Sequence, residues 1–267
     1  MPSQKILIGT NLKMYKNIRE TVTYLKELEI RTKDISRDAF ELFVIPSFTS
    51  LSEASKAVNK DFIKLGAQNM CWEEQGQFTG EISPLMLQEL DTDIIEIGHS
   101  ERRHVFGESN AEENKKVISA LTHQFTALLC VGETLEEKNY NVSNEVLRTQ
   151  LKIGFANVPK SYINQIIVAY EPVWAIGVNG IPASIEYVAE KHRLIKDTLT
   201  EIFGEGGSQI PVLYGGSVNI DNALDLIVQP DVDGLFVGRY AWKADQFEKL
   251  IRGVLRARSP NIIFSRT

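Results

Sequence analysis

Short apolar runs alternate with longer, charged and periodic stretches along nearly the whole chain. The runs lie at 5–9, 41–45, 62–67, 94–98, 127–131, 165–170, 211–214 and 234–237. Between them the pattern turns helical. Asn17 followed three residues later by Glu20 opens a helix over 18–30, and Ser109 with Glu112 opens one running toward His123. Ser184 caps a long helix with Val188, Ile195, Leu199 and Ile202 on one face. Phe247, Leu250, Ile251, Val254 and Leu255 mark the last helix. Eight strands, each followed by a helical segment, predict an α/β fold with a parallel sheet and right-handed crossovers. Eight such units in this length fit a closed (β/α)8 barrel. The competing open, doubly wound sheet would carry G-x-G-x-x-G after its first strand, and this chain does not.

Composition narrows the picture. The 267 residues are 43% hydrophobic and 24% charged, enough for one domain over 1–267 with a short tail at 259–267. The formal net charge of -6 argues against nucleic acid or an anionic membrane surface as partner. Cys71 and Cys130 are far apart and have no metal-type spacing, and four histidines form no cluster. At the N-terminus only residues 6–8 form an apolar run, too short for a signal segment. No stretch approaches the ~20 apolar residues of a membrane span. The expectation is a soluble cytoplasmic protein that needs no cofactor.

In a barrel of this kind the chemistry gathers at the C-terminal ends of the strands. The sixth run stops at Glu171 and Pro172; the proline cannot donate to a sheet and holds Glu171 extended. Val173 and Trp174 follow, then a segment containing Gly177 and Gly180. An acid at a strand end beside a glycine-bearing lid suits a general base, although this stretch alone equally allows a solvated loop acid. Lys13 follows the first strand as a fixed cation for an anionic group, or as a surface lysine. His99 follows the fourth, beside Glu101, Arg102 and Arg103, and an imidazole there could polarise a carbonyl or be satisfied by backbone. After the fifth, Cys130 reads as a small apolar residue under the site and Glu133 as structural support. The seventh leads into a Gly-Gly turn over 214–219 and the eighth into Gly238 and Arg239. Two amide-rich turns in those positions fit a phosphate site. Base, imidazole, cation and amide cradle together fit proton abstraction next to the carbonyl of a small phosphorylated sugar.

The motifs N-x-K-M at 11–14, F-T-G-E-I-S-P at 78–84, G-H-S-E-R-R at 98–103, A-Y-E-P-V-W-A-I-G at 169–177 and Y-G-G-S-V at 214–218 occur in order. On these the chain resembles the triosephosphate isomerase family over nearly its whole length. The resemblance implies that Glu171 is the base and His99 the neutral electrophile. It implies that Asn11 and Lys13 stabilise the enediolate, and that Gly177, Ser217 and Gly238 surround the phosphate with main chain. Glu101 resembles the acid beside the lysine. The loop at 75–81, with Thr79 at its tip, resembles one that enters a neighbouring subunit, which implies a homodimer.

Three stretches depart from the family pattern. The family has N-W-K-M-N where this chain has Asn11, Leu12, Lys13, Met14 and Tyr15. Its lid continues G-T-G-K-T-A where this one has Gly177, Val178, Asn179, Gly180, Ile181 and Pro182. Its last phosphate turn is G-G where this one has Gly238 and Arg239, then Tyr240, Ala241 and Trp242. The Arg239 guanidinium could pair with the phosphate or turn outward to a surface acid. With the run over 69–72, the departures resemble a sister branch that isomerises four-carbon erythrulose phosphates in erythritol breakdown. The alternative is a barrel that binds a phosphorylated ligand without turning it over. Asn11, Lys13, His99 and Glu171 argue against it, because binding alone needs no base. An aldolase-like barrel would want a Schiff-base lysine on a later strand, and none is evident.

Overall fold

The computed structural model describes residues 5–177 and 180–258, so Val178, Asn179 and the tail at 259–267 lie outside the described residues. Eight strands appear in chain order: β1 (Ile6–Asn11), β2 (Phe40–Ile45), β3 (Lys64–Ala67), β4 (Ile94–Ile97), β5 (Thr126–Val131), β6 (Ile166–Tyr170), β7 (Val212–Tyr214) and β8 (Gly234–Phe236). Each pairs in parallel with its neighbours, and Leu7 of β1 pairs with Gly234 of β8, which closes the barrel. Closure removes the unpaired sheet edges that an open sheet would have to cover.

Side chains alternate across this closed sheet. Leu7, Phe43, Ile45, Ile94, Leu128, Cys130, Ile167, Ala169, Leu213 and Phe236 fill the barrel interior as a cluster of their own. Outward residues such as Ile8, Val44, Ile95 and Leu129 join the core formed with the helices. Polar residues also take inward positions, among them Asn11 and one fully buried acid. Glu96 stands two residues from Ile94 on β4 and is fully buried.

The helices begin where their capping signals stand. Asn17 with Glu20 and Ser109 with Glu112 form reciprocal capping boxes at the heads of Ile18–Thr32 and Asn110–Thr122. A third box, Thr134 with Glu137, opens the short helix Leu135–Asn139. Ser184 accepts from the Tyr187 amide at the start of Ile185–Phe203, and the last helix is Ala244–Arg258.

Two strand boundaries differ from the sequence reading by two residues, the others by one at most. β1 runs on to Asn11, which pairs with Ile45, so Asn11 is the last rung of a strand rather than part of a loop. β3 starts at Lys64, because the amides of Phe62 and Ile63 close a turn onto the Asn59 carbonyl.

His192, on the helix Ile185–Phe203, is fully buried and packs against the rings of Tyr170 and Tyr214. Its Nδ1 lies 3.0 Å from the Asp231 carbonyl oxygen, to which it donates. Burial pushes its pKa down from 6.5 to about 4. The unfolded chain therefore binds one more proton than the folded chain between those values, and stability falls as pH drops through that window. The loss reaches on the order of 3 kcal/mol at its lower end. In urea unfolding at pH 7 and pH 4.5, His192→Phe is expected to lose less stability on acidification than the wild type. Equal losses would show that this imidazole is not held neutral.

Candidate active site

A cleft of about 440 Å³ opens at the C-terminal ends of the strands. Asn11, Lys13, His99, Glu101, Glu171, Gly177, Ser217, Gly238 and Arg239 all line it. Residues separated by more than two hundred positions meet there because barrel closure brings β1 beside β8. Cys130 and Glu133, the other two residues singled out in the sequence, lie outside the lining.

Glu171 emerges at the end of β6. Its amide donates to the Val131 carbonyl at 2.7 Å, continuing the β5–β6 ladder, and Pro172 ends that ladder. Two glycines make room for it. A Cβ at Gly132 would lie 1.9 Å from the Glu171 carbonyl oxygen, and one at Gly215 would lie 2.8 Å from its Cγ. The carboxyl group is 4% exposed. Its Oε1 lies 3.7 Å from His99 Nε2, and its Oε2 has no hydrogen-bond partner among the described residues. A buried acceptor with a free lone pair is costly, and it is the arrangement a base requires.

His99 is set by the turn that follows β4. Gly98 has φ 71°, a left-handed conformation that suits glycine. Arg103 reaches back from the next helical turn and donates to the carbonyls of Gly98 and Cys130 at 2.7 and 2.9 Å. It also pairs with the buried Glu113 at 2.5 Å. Part of the ionic run after β4 thus fastens the ends of β4 and β5 together. The Glu101 amide donates to His99 Nδ1 at 3.2 Å. With Nδ1 accepting, the ring proton sits on Nε2, which faces Glu171.

Asn11 and Lys13 form a small network. The Lys13 amide and Gln68 Nε2 both donate to Asn11 Oδ1, at 2.6 and 3.0 Å. Gln68 also donates to the Lys13 carbonyl, in support of Lys13 at φ 51°. Lys13 Nζ pairs with Glu101 Oε1 at 2.7 Å. Beneath this network Asn11 Nδ2 donates to Glu96 Oε2 at 2.7 Å. Burial, then the neighbouring Glu171, push the Glu96 carboxyl well above the usual carboxylate range. Glu96 and Gln68 did not emerge from the sequence reading. The signal for Glu96 was there: an acid at an inward position within Ile-Ile-Glu-Ile.

Cys130 and Glu133 support the site from outside the cleft. Cys130 is buried, and burial followed by Glu171 and Glu96 push its thiol well up, so it packs as a neutral group. The fully buried Glu133 accepts from the hydroxyls of Tyr170 and Tyr187 and from Trp174 Nε1, the last at 2.9 Å. Trp174 belongs to the short 3-10 turn Val173–Ala175 directly after Glu171, so Glu133 pins the first turn of the lid to the barrel.

The opposite wall is made of turns. The amides of Gly216, Ser217 and Gly238 have no hydrogen-bond partner among the described residues. The nearest helix after β7, Ala223–Ile227, starts past this turn, whereas Gly238 caps the short 3-10 turn Arg239–Trp242. Among the described residues Arg239 meets no surface acid. Its Nη2 donates to the Gly177 carbonyl at 2.9 Å and ties the β8 turn to the lid. Tyr15 packs against Trp242 in a tilted pair with ring centroids 4.5 Å apart, and Trp242 Nε1 donates to the Asn11 carbonyl at 3.0 Å.

This geometry can remove a proton from carbon with Glu171 while Nε2 of His99 and Nζ of Lys13 face the developing oxyanion. Glu96, His99 and Glu171 also bring one donor atom each within 4.8 Å of one another. Burial and the neighbouring Glu171 raise the Glu96 carboxyl, which favours its protonated form beside the other two.

Comparison with known proteins agrees with this geometry. The triosephosphate isomerase family model matches residues 6–254. An L-erythrulose-1-phosphate isomerase from Rhizobium etli is 44% identical over 94% of this chain and 93% of its own. A triosephosphate isomerase from Dictyoglomus turgidum is 41% identical over 92% of this chain and 98% of its own. The crystal structure of triosephosphate isomerase from Bartonella henselae superposes with a TM-score of 0.84 at 34% identity, covering 93% of this chain and 98% of that one. The chain belongs to the triosephosphate isomerase family and is an isomerase of that type.

Proposed function

We propose that this isomerase moves the carbonyl of a small phosphorylated ketose by one carbon, and that it prefers the four-carbon erythrulose 1-phosphate to dihydroxyacetone phosphate. Glu171 takes the proton from the carbon next to the carbonyl. His99 Nε2 and Lys13 Nζ stabilise the oxygens of the enediolate, with Asn11 beside them. The turn amides of Ser217 and Gly238, with the main chain at Gly177, hold the phosphate. Glu171 then returns the proton to the neighbouring carbon. Both substrates present the same reacting unit. Erythrulose 1-phosphate carries a hydroxymethyl group in place of one hydrogen on the carbon that loses its proton. The triose gives an aldose, and the tetrulose gives the ketose with its carbonyl one carbon further from the phosphate.

The observation that carries the four-carbon preference is where the departures from the family pattern fall. Tyr15 and Trp242 pack together behind Asn11, and Arg239 grips the lid at Gly177. The changes therefore form joined contacts around the cleft instead of scattered surface drift. The Rhizobium etli relative and one from Rhizobium meliloti, 41% identical over 96% of this chain, bear the four-carbon name.

A homodimer completes the reading. Residues 73–81 are exposed throughout, including Phe78. Exposed apolar side chains stand after β1, β3 and β4: Met14 at 95%, Met86 at 58% and Phe106 at 65%. Exposed apolar side chains of this kind, with Met14 directly after Lys13, suit a second copy that covers them.

Two measurements check these proposals. The wild type should show a higher kcat/KM for erythrulose 1-phosphate than for dihydroxyacetone phosphate, and Arg239→Gly should reduce that ratio. A wild type that turns over only the triose would refute the preference. Sedimentation equilibrium should give twice the chain mass, or a multiple of that, and a fully active monomer would refute the assembly.

A further inference from the structure

Amid the apolar side chains of the barrel interior stands the acid Glu96. This carboxyl is fully buried and does not line the cleft, so the mechanism above leaves it without a task. Its surroundings come from several strands. From β1, Asn11 Nδ2 donates to Oε2 at 2.7 Å. From β5, the Cys130 thiol lies 3.9 Å from Oε1. From the ends of β4 and β6, His99 and Glu171 bring donor atoms within 4.8 Å. Lys13 and Glu101 are the other charged groups that act on it.

Asn11 is thereby gripped at both ends of its carboxamide. Oδ1 accepts from the Lys13 amide and from Gln68, while one Nδ2 hydrogen goes down to Glu96. The grip settles which end of the amide is nitrogen, because the acceptor below and the donors above allow one orientation only. A single Nδ2 hydrogen remains for the cleft.

We propose that Glu96 is a positioning residue for the isomerisation: from beneath the cleft it fixes the orientation of the Asn11 carboxamide and so the donor that Asn11 presents to the enediolate. The inference rests on the functional reading given above. A second charge this deeply buried and this close to Glu171 would be repelled, which favours the protonated form of Glu96. What the position needs is an acceptor for Asn11, and a neutral amide supplies one as well.

The test compares Glu96→Val, which removes the acceptor and places a strand-forming β-branched residue there, with Glu96→Gln, which keeps the acceptor. Thermal melting confirms that each variant folds. Activity of the wild type is measured first, so a failure of the functional reading shows there and not in the variants. Glu96→Val is expected to lower kcat by about 10- to 100-fold, with KM changed by less than roughly threefold. Glu96→Gln is expected to restore kcat to within roughly threefold of wild type and to keep the acid limb of the pH profile of kcat/KM in place. A Glu96→Val enzyme with wild-type kcat overturns the inference, as does a Glu96→Gln enzyme as impaired as Glu96→Val. A shift of that acid limb in Glu96→Gln by roughly half a unit or more would show an ionised Glu96, and overturns it too.

Discussion

A carboxyl group held out of water with one oxygen unpartnered is the constraint around which this molecule is built. Glu171 Oε2 has no partner among the described residues, and the residue is 4% exposed. Such a group is unfavourable by itself, so the surroundings must impose it. Barrel closure fixes the end of β6, Pro172 ends the ladder there, and Gly132 and Gly215 leave the space. Every other acid near the cleft is then answered in its own way. Glu101 is paired with Lys13, Glu113 with Arg103, and Glu133 accepts from three aromatic side chains. Burial favours the protonated form of Glu96. Among the described residues these acids thus have partners or a raised affinity for protons, around a carboxylate whose Oε2 is left free.

Much of this was legible in the sequence, for physical reasons. Strands buried on both faces read as short apolar runs, and capping boxes mark helix starts directly. Because strand ends gather at one mouth of a barrel, the residues following those runs fell together once eight strands had been counted. What stayed hidden depends on which way a side chain points. Glu96 sits inside a run that reads as plain strand, and its parity within the barrel decides its role. Gln68 lies just past β3 with no neighbouring signal, and only its contacts with Asn11 and Lys13 reveal it. For Arg239, the contact with Gly177 was not foreseen, since the carbonyl it meets belongs to a lid 62 positions earlier.

The departures from the family pattern gain meaning from the same geometry. Leu12 is fully buried, so its side chain belongs to the core and the substitution there is one of packing. Tyr15 and Trp242 are joined through their rings, and Trp242 is joined to the Asn11 carbonyl. A change in the turn after β8 is therefore felt at the loop after β1, and through it at the carboxamide that Glu96 holds. Contacts that share a partner are those expected to couple energetically.

The most direct test of the account follows hydrogen. Turnover in deuterium oxide, read by proton NMR, should place solvent deuterium on the carbon next to the carbonyl in product and in recovered substrate, because the proton passes through Glu171 at an open cleft. Glu171→Gln should lose this exchange together with isomerisation, by roughly 10²- to 10⁴-fold. A Glu171→Gln enzyme that folds and still exchanges at the wild-type rate would contradict the claim that this carboxylate is the base.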